Sequence, residues 1–176
     1  MCGLKVIGST AMIKKPSIVD LFSGCGGFGL GAELAGFRTV AAVDIDATLQ
    51  SSYRLNFPHA RTITGDLSKM DAESWQMILN GLEVDGVIGG PPCQGYSRMG
   101  KSDKDDPRRS LLGHFFRTVN IIRPKFFIME NVEGLMDERN RYELENAIQV
   151  LDKHYVVLEP MIVDASLYGV PTKRKR

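Results

Sequence analysis

The sequence predicts an α/β fold in which a mainly parallel sheet is covered by helices on both faces. Short runs of β-branched residues alternate along the chain with longer stretches whose apolar residues recur at helical spacing. Strands that alternate with helices are typical of βαβ units, in which each crossover helix leads to a parallel strand. At 176 residues, with 43% hydrophobic and 24% charged residues, the chain has the composition of one globular domain.

The predicted elements follow this alternation. Segments rich in β-branched and apolar residues predict strands at 17–22, 38–43, 61–64, 84–88, 125–129 and 155–163. Amphipathic stretches predict helices near 28–36, 46–56, 71–80, 110–122 and 138–153. The longest stretch without periodicity is 93–109, and long irregular connections in compact domains are often functional lids.

Composition excludes several classes of protein. The three cysteines, Cys2, Cys25 and Cys93, include no Cys-x-x-Cys pair, which argues against a disulfide framework and a zinc site and favours a reducing cytosol. No apolar run approaches the ~20 residues that span a bilayer. Residues 1–15 lack a signal-peptide core and are interpreted as a leader or a cloning remnant. The net charge of +1 gives no information about partners.

The most informative stretch is Gly-Gly-Pro-Pro-Cys-Gln-Gly-Tyr-Ser, residues 89–97. It places Cys93 directly after two prolines at the end of a predicted strand. The prolines restrict the backbone and remove two hydrogen-bond donors, so the cysteine is expected in a stiff, non-helical loop. A rigid mount suits a nucleophile that must approach carbon at a fixed angle. The alternative is a surface turn that happens to carry a thiol.

A second pattern follows the first predicted strand. Gly24-x-Gly26-x-x-Gly29 lies between that strand and a helix, the setting in which glycines let the backbone approach a dinucleotide. Asp44 lies twenty residues beyond Gly24, at the end of the second strand, where a carboxylate can accept both ribose hydroxyls. Together they predict an adenosine cofactor, although tight turns also use glycine for geometry alone.

The loop leaves the identity of the cofactor open. NAD would place its pyrophosphate on the helix N-terminus. S-adenosylmethionine has no phosphate and needs apolar faces for its adenine, which Phe22 and Ile45 can supply. Asp66 is placed to accept the adenine amino group, and the equally weighted alternative for Asp66 is capping of a following helix.

Four motifs in order resemble those of the DNA cytosine-5 methyltransferases, over about residues 18–176. DLFSGCGGFGLG is similar to the family's cofactor loop, PPCQGYS to its nucleophile motif, MENV to its cytosine-binding motif and YGVPTKRKR to its arginine motif. The resemblance implies a Rossmann-like, S-adenosylmethionine-dependent methyltransferase fold. It also implies a methyl transfer from S-adenosylmethionine to C5 of cytosine in double-stranded DNA, with S-adenosylhomocysteine as product and a role in bacterial restriction-modification.

The resemblance also implies the roles of individual residues. Cys93 would add to C6 of a flipped cytosine, and Glu130 would bind N3 and the 4-amino group. Pro92 would set the approach of the thiol, Asn131 would fix its loop, and Arg174 and Arg176 would contact the base, its backbone or the catalytic loop. The implied cofactor contacts are Phe22, Gly24, Gly26, Gly27, Asp44, Ile45, Asp66, Leu67 and Leu111, with no metal.

Simpler interpretations stand beside these roles. Glu130 would otherwise pair with a nearby arginine or cap the turn at 131–136. The terminal Lys-Arg-Lys-Arg, residues 173–176, would otherwise be a localisation signal or a solvated tail. The chain also departs from the family pattern, with Thr172 and Lys175 in the arginine motif and Ile45 where an aromatic residue is common.

The largest departure is where the sequence stops. Family members continue past the arginine motif into a further strand, a target-recognition domain and a last cofactor-contacting segment. Residues 16–176 are therefore interpreted as an incomplete catalytic domain, inactive alone, that needs a complementing C-terminal polypeptide. Without the family's final strand, 155–163 would lack a neighbour, so a loose or dimerised edge is expected near residue 160. A bacterial, cytoplasmic and nucleoid-associated location is expected.

Three other functions compete with this one. A tRNA cytosine methyltransferase shares the motifs and changes only the polymer. A regulatory homologue would keep the fold without turnover, although Cys93, Glu130 and Arg174 together argue against an idle site. An NAD-linked oxidoreductase rests on the glycine loop alone.

Overall fold

The computed structural model describes residues 14–92 and 111–176. Its strands are β1 (Ser17–Leu21), β2 (Arg38–Asp44), β3 (Arg61–Thr64), β4 (Gly86–Gly89) and β5 (Phe126–Met129). Its α-helices are α1 (Gly27–Leu34), α2 (Ala47–Asn56), α3 (Ala72–Leu79), α4 (Leu111–Ile122) and α5 (Glu138–Ile148). Single 3₁₀ turns cover Leu67–Lys69, Glu133–Met136 and Ala165–Tyr168.

The five strands form one sheet in the order β3-β2-β1-β4-β5, with every neighbouring pair parallel. The chain builds outward from β1 in one direction and then returns to add β4 on the other side. Strand order therefore reverses at β1 and β4, and such a switch point opens a crevice at the carboxyl edge of the sheet. The predicted parallel α/β sheet is confirmed.

The core lies on both faces of this sheet. Ala41 and Val43 belong to the larger cluster, which includes Phe115 and Phe116 of α4, while Ala42 belongs to a smaller cluster with Tyr53 of α2. Successive residues of a strand point to opposite faces, so β2 contributes to both clusters.

Two predicted elements differ from the structure. The helix predicted to reach residue 153 ends at Ile148, because the Asn120 side chain of α4 binds the next turn: its Nδ2 donates to the Val150 carbonyl at 2.7 Å and its Oδ1 accepts from the Asp152 amide at 2.9 Å. The prediction of a strand at 155–163 is wrong. Those residues form no ladder, and β5 is the last strand of the sheet among the described residues.

The segment 155–163 is instead held at its two ends. The Tyr155 hydroxyl donates to the Pro124 carbonyl at 2.7 Å, and Val163 exchanges two backbone hydrogen bonds with Arg176. Between these points Val156, Leu158 and Met161 are each about four-fifths exposed. A strand forms only where a neighbour accepts its backbone hydrogen bonds, and among the described residues β5 pairs only with β4. The loose edge expected near residue 160 is present.

Within the two described ranges, no helix has both the length and the apolar character needed to cross a bilayer.

Candidate active site at the carboxyl edge of the sheet

The glycine loop leaves β1 through an unusual series of backbone conformations. Phe22 (φ +53°), Gly24 (φ +54°) and Gly26 (φ +100°) all lie in the left-handed region. For Phe22 this conformation is strained, and such strain is concentrated at functional sites. Asp44, at the end of β2, fixes the loop: its Oδ2 accepts from the Gly24 amide and its Oδ1 from the Asp46 amide, both at 2.9 Å.

The space around the loop fits an adenosine-bearing cofactor. A Cβ atom added at Gly24 or Gly27 would meet nothing within 4 Å, so the backbone there is open to a ligand. At Gly26, by contrast, a Cβ would overlap the Phe57 ring, so this glycine is required by packing. The same edge presents the Asp44 carboxylate, the half-buried Phe22 and Ile45, whose side chain is 70% exposed. A carboxylate for a ribose diol and apolar faces for a purine are therefore neighbours.

Asp66 and Leu67 follow β3 in the next turn along this edge. Asp66 caps the 3₁₀ turn, its Oδ1 accepting from the Ser68 amide at 2.9 Å, and hydrogen bonds from Ser68 hold the pKa of Asp66 below its usual range. The capping interpretation is thus confirmed, and a role toward adenine stays a prediction. The Leu67 side chain is 4% exposed and lies in the core, so Leu67 can offer a ligand only its backbone. Leu111 is half-buried at the start of α4.

The ends of β4 and β5 are tied together by two hydrogen bonds. The Glu130 amide donates to the Gly89 carbonyl at 2.9 Å, and Asn131 Nδ2 donates to the Pro91 carbonyl at 3.3 Å. Asn131 Oδ1 in turn accepts from the Val132 amide at 2.9 Å. Since Gly89 and Met129 are in register in parallel strands, both chains leave the sheet at the same edge. Asn131 therefore fixes the segment that leads to Cys93.

The Glu130 carboxylate lies against this same segment. A Cβ added at Gly90 would be 3.0 Å from Glu130 Oε2. Pro91 is buried and Pro92 is exposed. Cys93 itself, together with the predicted lid at 94–109, lies outside the described residues. The structure thus brings Glu130, Asn131 and the Pro-Pro pair together at one point on the edge.

Arg176 forms an ion pair with Glu130, with Nε 2.9 Å from Oε1. The pairing with an arginine considered for Glu130 is therefore present. Two backbone hydrogen bonds between Arg176 and Val163 hold this arginine in place. The Arg174 carbonyl accepts a hydrogen bond from the Ala165 amide, and Arg174 is exposed to solvent.

Asp20 is a buried carboxylate beneath the glycine loop whose role the sequence did not reveal. It is 1% exposed, its Oδ2 accepts from the Tyr53 hydroxyl at 3.2 Å, and the Gly29 backbone in the first turn of α1 lies beside the same carboxylate. Its Oδ1 has no hydrogen-bond partner among the described residues. Burial raises the pKa of Asp20 to about 7. The available signal was a lone aspartate in an otherwise apolar strand, 17–22.

An apolar cleft of about 820 Å³ adjoins this edge. It lies along β5, the turn Glu133–Met136 and α5, with the segment 155–163 as its outer wall, and Glu130 and Arg176 are at its polar end. No group of three or more potential metal-ligating side chains occurs in residues 14–92 or 111–176.

Comparison with known proteins decides the family. The family model described as C-5 cytosine-specific DNA methylase matches residues 17–176. The chain belongs to this family.

Named relatives agree with this assignment. The chain is 40% identical over 164 residues to Type II methyltransferase M.DdeI of Desulfomicrobium norvegicum, covering 91% of this chain and 39% of the relative. It is 39% identical to M.XorII of Xanthomonas oryzae pv. oryzae, with 93% and 40% covered. For M.AquIA of Picosynechococcus sp. the identity is 38%, with 90% and 68% covered. The chain thus spans about two fifths of the first two relatives.

Solved structures confirm the fold. A proposed DNA modification methyltransferase encoded within an Escherichia coli prophage superposes with a TM-score of 0.82 at 40% identity, covering 92% of this chain and 44% of that one. The Dnmt2 methyltransferase of S. pombe superposes with a TM-score of 0.69 at 21% identity, covering 92% and 48%, and shows the fold alone. The expected Rossmann-like methyltransferase fold is confirmed, and S-adenosylmethionine is the methyl donor of this class.

Proposed function

We propose that this chain is the cofactor-binding and catalytic part of a Type II DNA methyltransferase that methylates C5 of cytosine, with residues 16–176 forming the catalytic domain. The observation that carries the proposal is the joining of β4 and β5 at their carboxyl ends. There Glu130 and Asn131 lie against the Pro91–Pro92 segment, directly before Cys93. Membership in the cytosine-5 methylase family supplies the reaction class.

The residues of the glycine loop would hold S-adenosylmethionine. Asp44 would accept the ribose hydroxyls, Phe22 and Ile45 would cover the adenine, Asp66 would accept its amino group and Leu111 would pack on the cofactor. Gly24, Gly26 and Gly27 would form the loop beneath it. When bound, this cofactor supplies the methyl group that C5 receives. Membership in the cytosine-5 methylase family favours this cofactor over NAD.

Cys93 would act as the nucleophile. Its thiolate would form a bond to C6 of cytosine, and the electron pair of the C5–C6 double bond would move to C5. C5 would then take the methyl group of the donor, with S-adenosylhomocysteine as the leaving group. After C5 is methylated, a base, for which water is sufficient, would take the C5 proton, and the electron pair of that C–H bond would restore the double bond and expel the thiolate. Pro92 restricts the backbone before the thiol, and the Asn131 bond to Pro91 ties that backbone to β5.

Glu130 in its acid form would donate a proton or a hydrogen bond to N3, which stabilises the negative charge that develops on the ring, and its other oxygen would accept from the 4-amino group. Arg176 holds Oε1 of this carboxylate, which leaves Oε2 beside Gly90, at the start of the nucleophile segment. Because C5 and C6 are stacked inside a duplex, the cytosine must be flipped out of double-stranded DNA. Arg174 is exposed and would contact a phosphate of the DNA. The proposed location of the protein is the bacterial nucleoid.

A further polypeptide segment, continuous with this chain or separate, would cover the β5 edge. β5 pairs only with β4 among the described residues, so its outer backbone groups face the apolar cleft. Ile128 on β5 is 51% exposed and Leu158 across the cleft is 81% exposed. An unpaired strand beside an apolar cleft is suited to an added β-strand. We propose that such a strand completes the sheet and the enzyme.

This partner proposal is tested by co-expressing this chain with the part of M.DdeI that lies outside its matched region, which covers 39% of that relative. Co-purification and methylation are expected, and Leu158→Lys should abolish both. Leu55→Lys is the matched control, because Leu55 is equally exposed, at 84%, but lies on α2 away from the cleft. Equal effects of the two lysines would refute a docking role for the cleft.

The chemistry is tested on a duplex that contains 5-fluorocytosine, with cofactor and the completed enzyme. Fluorine cannot leave as a proton does, so a covalent adduct should accumulate. Cys93→Ala should abolish the adduct, while Cys25→Ala, which removes an exposed thiol of the glycine loop, should retain it. An adduct that persists in Cys93→Ala would exclude this nucleophile. Faster methylation of tRNA than of duplex DNA would overturn the proposed substrate.

A further inference from the structure

Arg117 of α4 binds the turn that follows β3 through three backbone carbonyls. One terminal nitrogen of its guanidinium donates to the carbonyls of Leu67 at 2.8 Å, Ser68 at 3.1 Å and Met70 at 3.3 Å. These carbonyls belong to the 3₁₀ turn Leu67–Lys69, which Asp66 begins, and to Met70 at its C-terminal end. A cation here complements the partial negative charge of carbonyls at the C-terminal end of the turn. Arg117 and Asp66 therefore hold the two ends of one short turn.

Among the described residues, every hydrogen bond of the partly buried Arg117 guanidinium goes to this turn. The Arg117 Nε atom is buried and has no hydrogen-bond partner among the described residues, and no ion pair of Arg117 is found there. Burying a guanidinium without a carboxylate is unfavourable unless hydrogen bonds replace its hydration. The Arg117 charge also affects His114, which is near the turn. Burial lowers the pKa of His114, the Arg117 charge lowers it further, and the charge of Asp66 raises it.

We infer that Arg117 is a positioning residue that sets the selectivity of the cofactor site for adenine. A 3₁₀ turn of three residues has too few internal hydrogen bonds to define its own geometry. Asp66 can discriminate the adenine amino group only while its carboxylate is held in one orientation. Arg117 supplies that rigidity from the helix behind the turn. This inference rests on the proposed cofactor function of Asp66.

The first test needs no cofactor. In Arg117→Met, amide hydrogen exchange at Lys69 and Met70, which donate within this turn, should accelerate at least tenfold, while the Val87 amide of β4 should keep its protection. Arg54→Met is the matched control, because Arg54 also ties a helix to β3, through Thr62, at a distance from the turn. Unchanged exchange at Lys69 and Met70 would overturn the inference.

The second test measures by calorimetry the affinities of the completed enzyme for S-adenosylhomocysteine and for S-inosylhomocysteine. S-inosylhomocysteine carries an oxygen in place of the adenine amino group. The wild type should prefer the adenosyl compound by more than tenfold, and Arg117→Met should reduce this preference to less than about threefold. Arg117→Lys should restore part of it, since an ammonium can still donate to the carbonyls.

Failure of the proposed cofactor function and failure of the inference about Arg117 give different results. A wild type that binds neither compound refutes the proposed cofactor function, and hydrogen exchange still reports on the turn. A variant that binds both compounds more weakly, with the tenfold preference intact, shows a merely structural role for Arg117 and overturns the inference.

Discussion

Replacing Gly29 by alanine should destabilise the protein even though alanine is the better helix former. Gly29 lies in the first turn of α1, directly above Tyr53 and Asp20. A Cβ atom there would overlap the Tyr53 hydroxyl and lie 2.9 Å from Asp20 Oδ2. Tyr53 cannot retreat easily, because it is fully buried and its ring packs on Phe57 with centroids 4.5 Å apart.

The magnitude follows from two opposing effects. Overpacking of a rigid buried contact costs up to about 3 kcal/mol. The gain in helix propensity is at most about 1 kcal/mol. Gly29→Ala should therefore lose about 2 kcal/mol of unfolding free energy. Gly27→Ala on the same helix is the matched control: its Cβ meets nothing within 4 Å, so it should be neutral or gain up to about 1 kcal/mol.

The unfolding free energies of both variants are measured by urea unfolding. The transition is monitored by far-ultraviolet circular dichroism and by the fluorescence of Trp75, which is the single tryptophan and is buried. The two alanine variants should differ by about 2 to 3 kcal/mol in unfolding free energy, roughly 30- to 160-fold in the unfolding equilibrium. Placing Gly29→Ala in a Tyr53→Phe background should recover most of the loss, because the hydroxyl is the atom in the way. Equal stabilities of the Gly27 and Gly29 variants would refute this account of the loop.

Two further predictions concern polar groups near the site. Because the folded pKa of Asp20 is raised to about 7 from 3.8, its contribution to stability is complete below pH 3.8 and lost as the pH rises through 7. The unfolding free energies of the wild type and Asp20→Asn, measured with urea at several pH values, should therefore diverge by up to about 4 kcal/mol between pH 4 and 8. Parallel pH profiles of the two proteins would contradict this prediction. Asn131→Asp keeps the acceptor for Val132 but cannot donate to Pro91, so in the completed enzyme kcat should fall at least tenfold while S-adenosylhomocysteine affinity stays within twofold. Equal losses in both quantities would assign Asn131 a purely structural role.

The sequence alone determined the fold class and the order of its first five strands along the chain. Hydrophobic periodicity is a local property, so it locates elements such as α4, predicted at 110–122 and observed at Leu111–Ile122. The motifs were equally readable, because the glycines and the Pro-Pro pair act through their own backbone conformations. Asp44 was placed correctly at the end of β2, because the run of apolar residues that predicts this strand is also local.

Only the tertiary structure decided which groups meet. The pairing of Arg176 with Glu130, the bond from Asn131 to Pro91 and the three carbonyls held by Arg117 join residues that are 40 or more positions apart in the sequence. It also decided that 155–163 is no strand, although its composition favours one. A strand is defined by the hydrogen bonds of a neighbour, and whether a neighbour is present is not encoded in the residues of the strand itself.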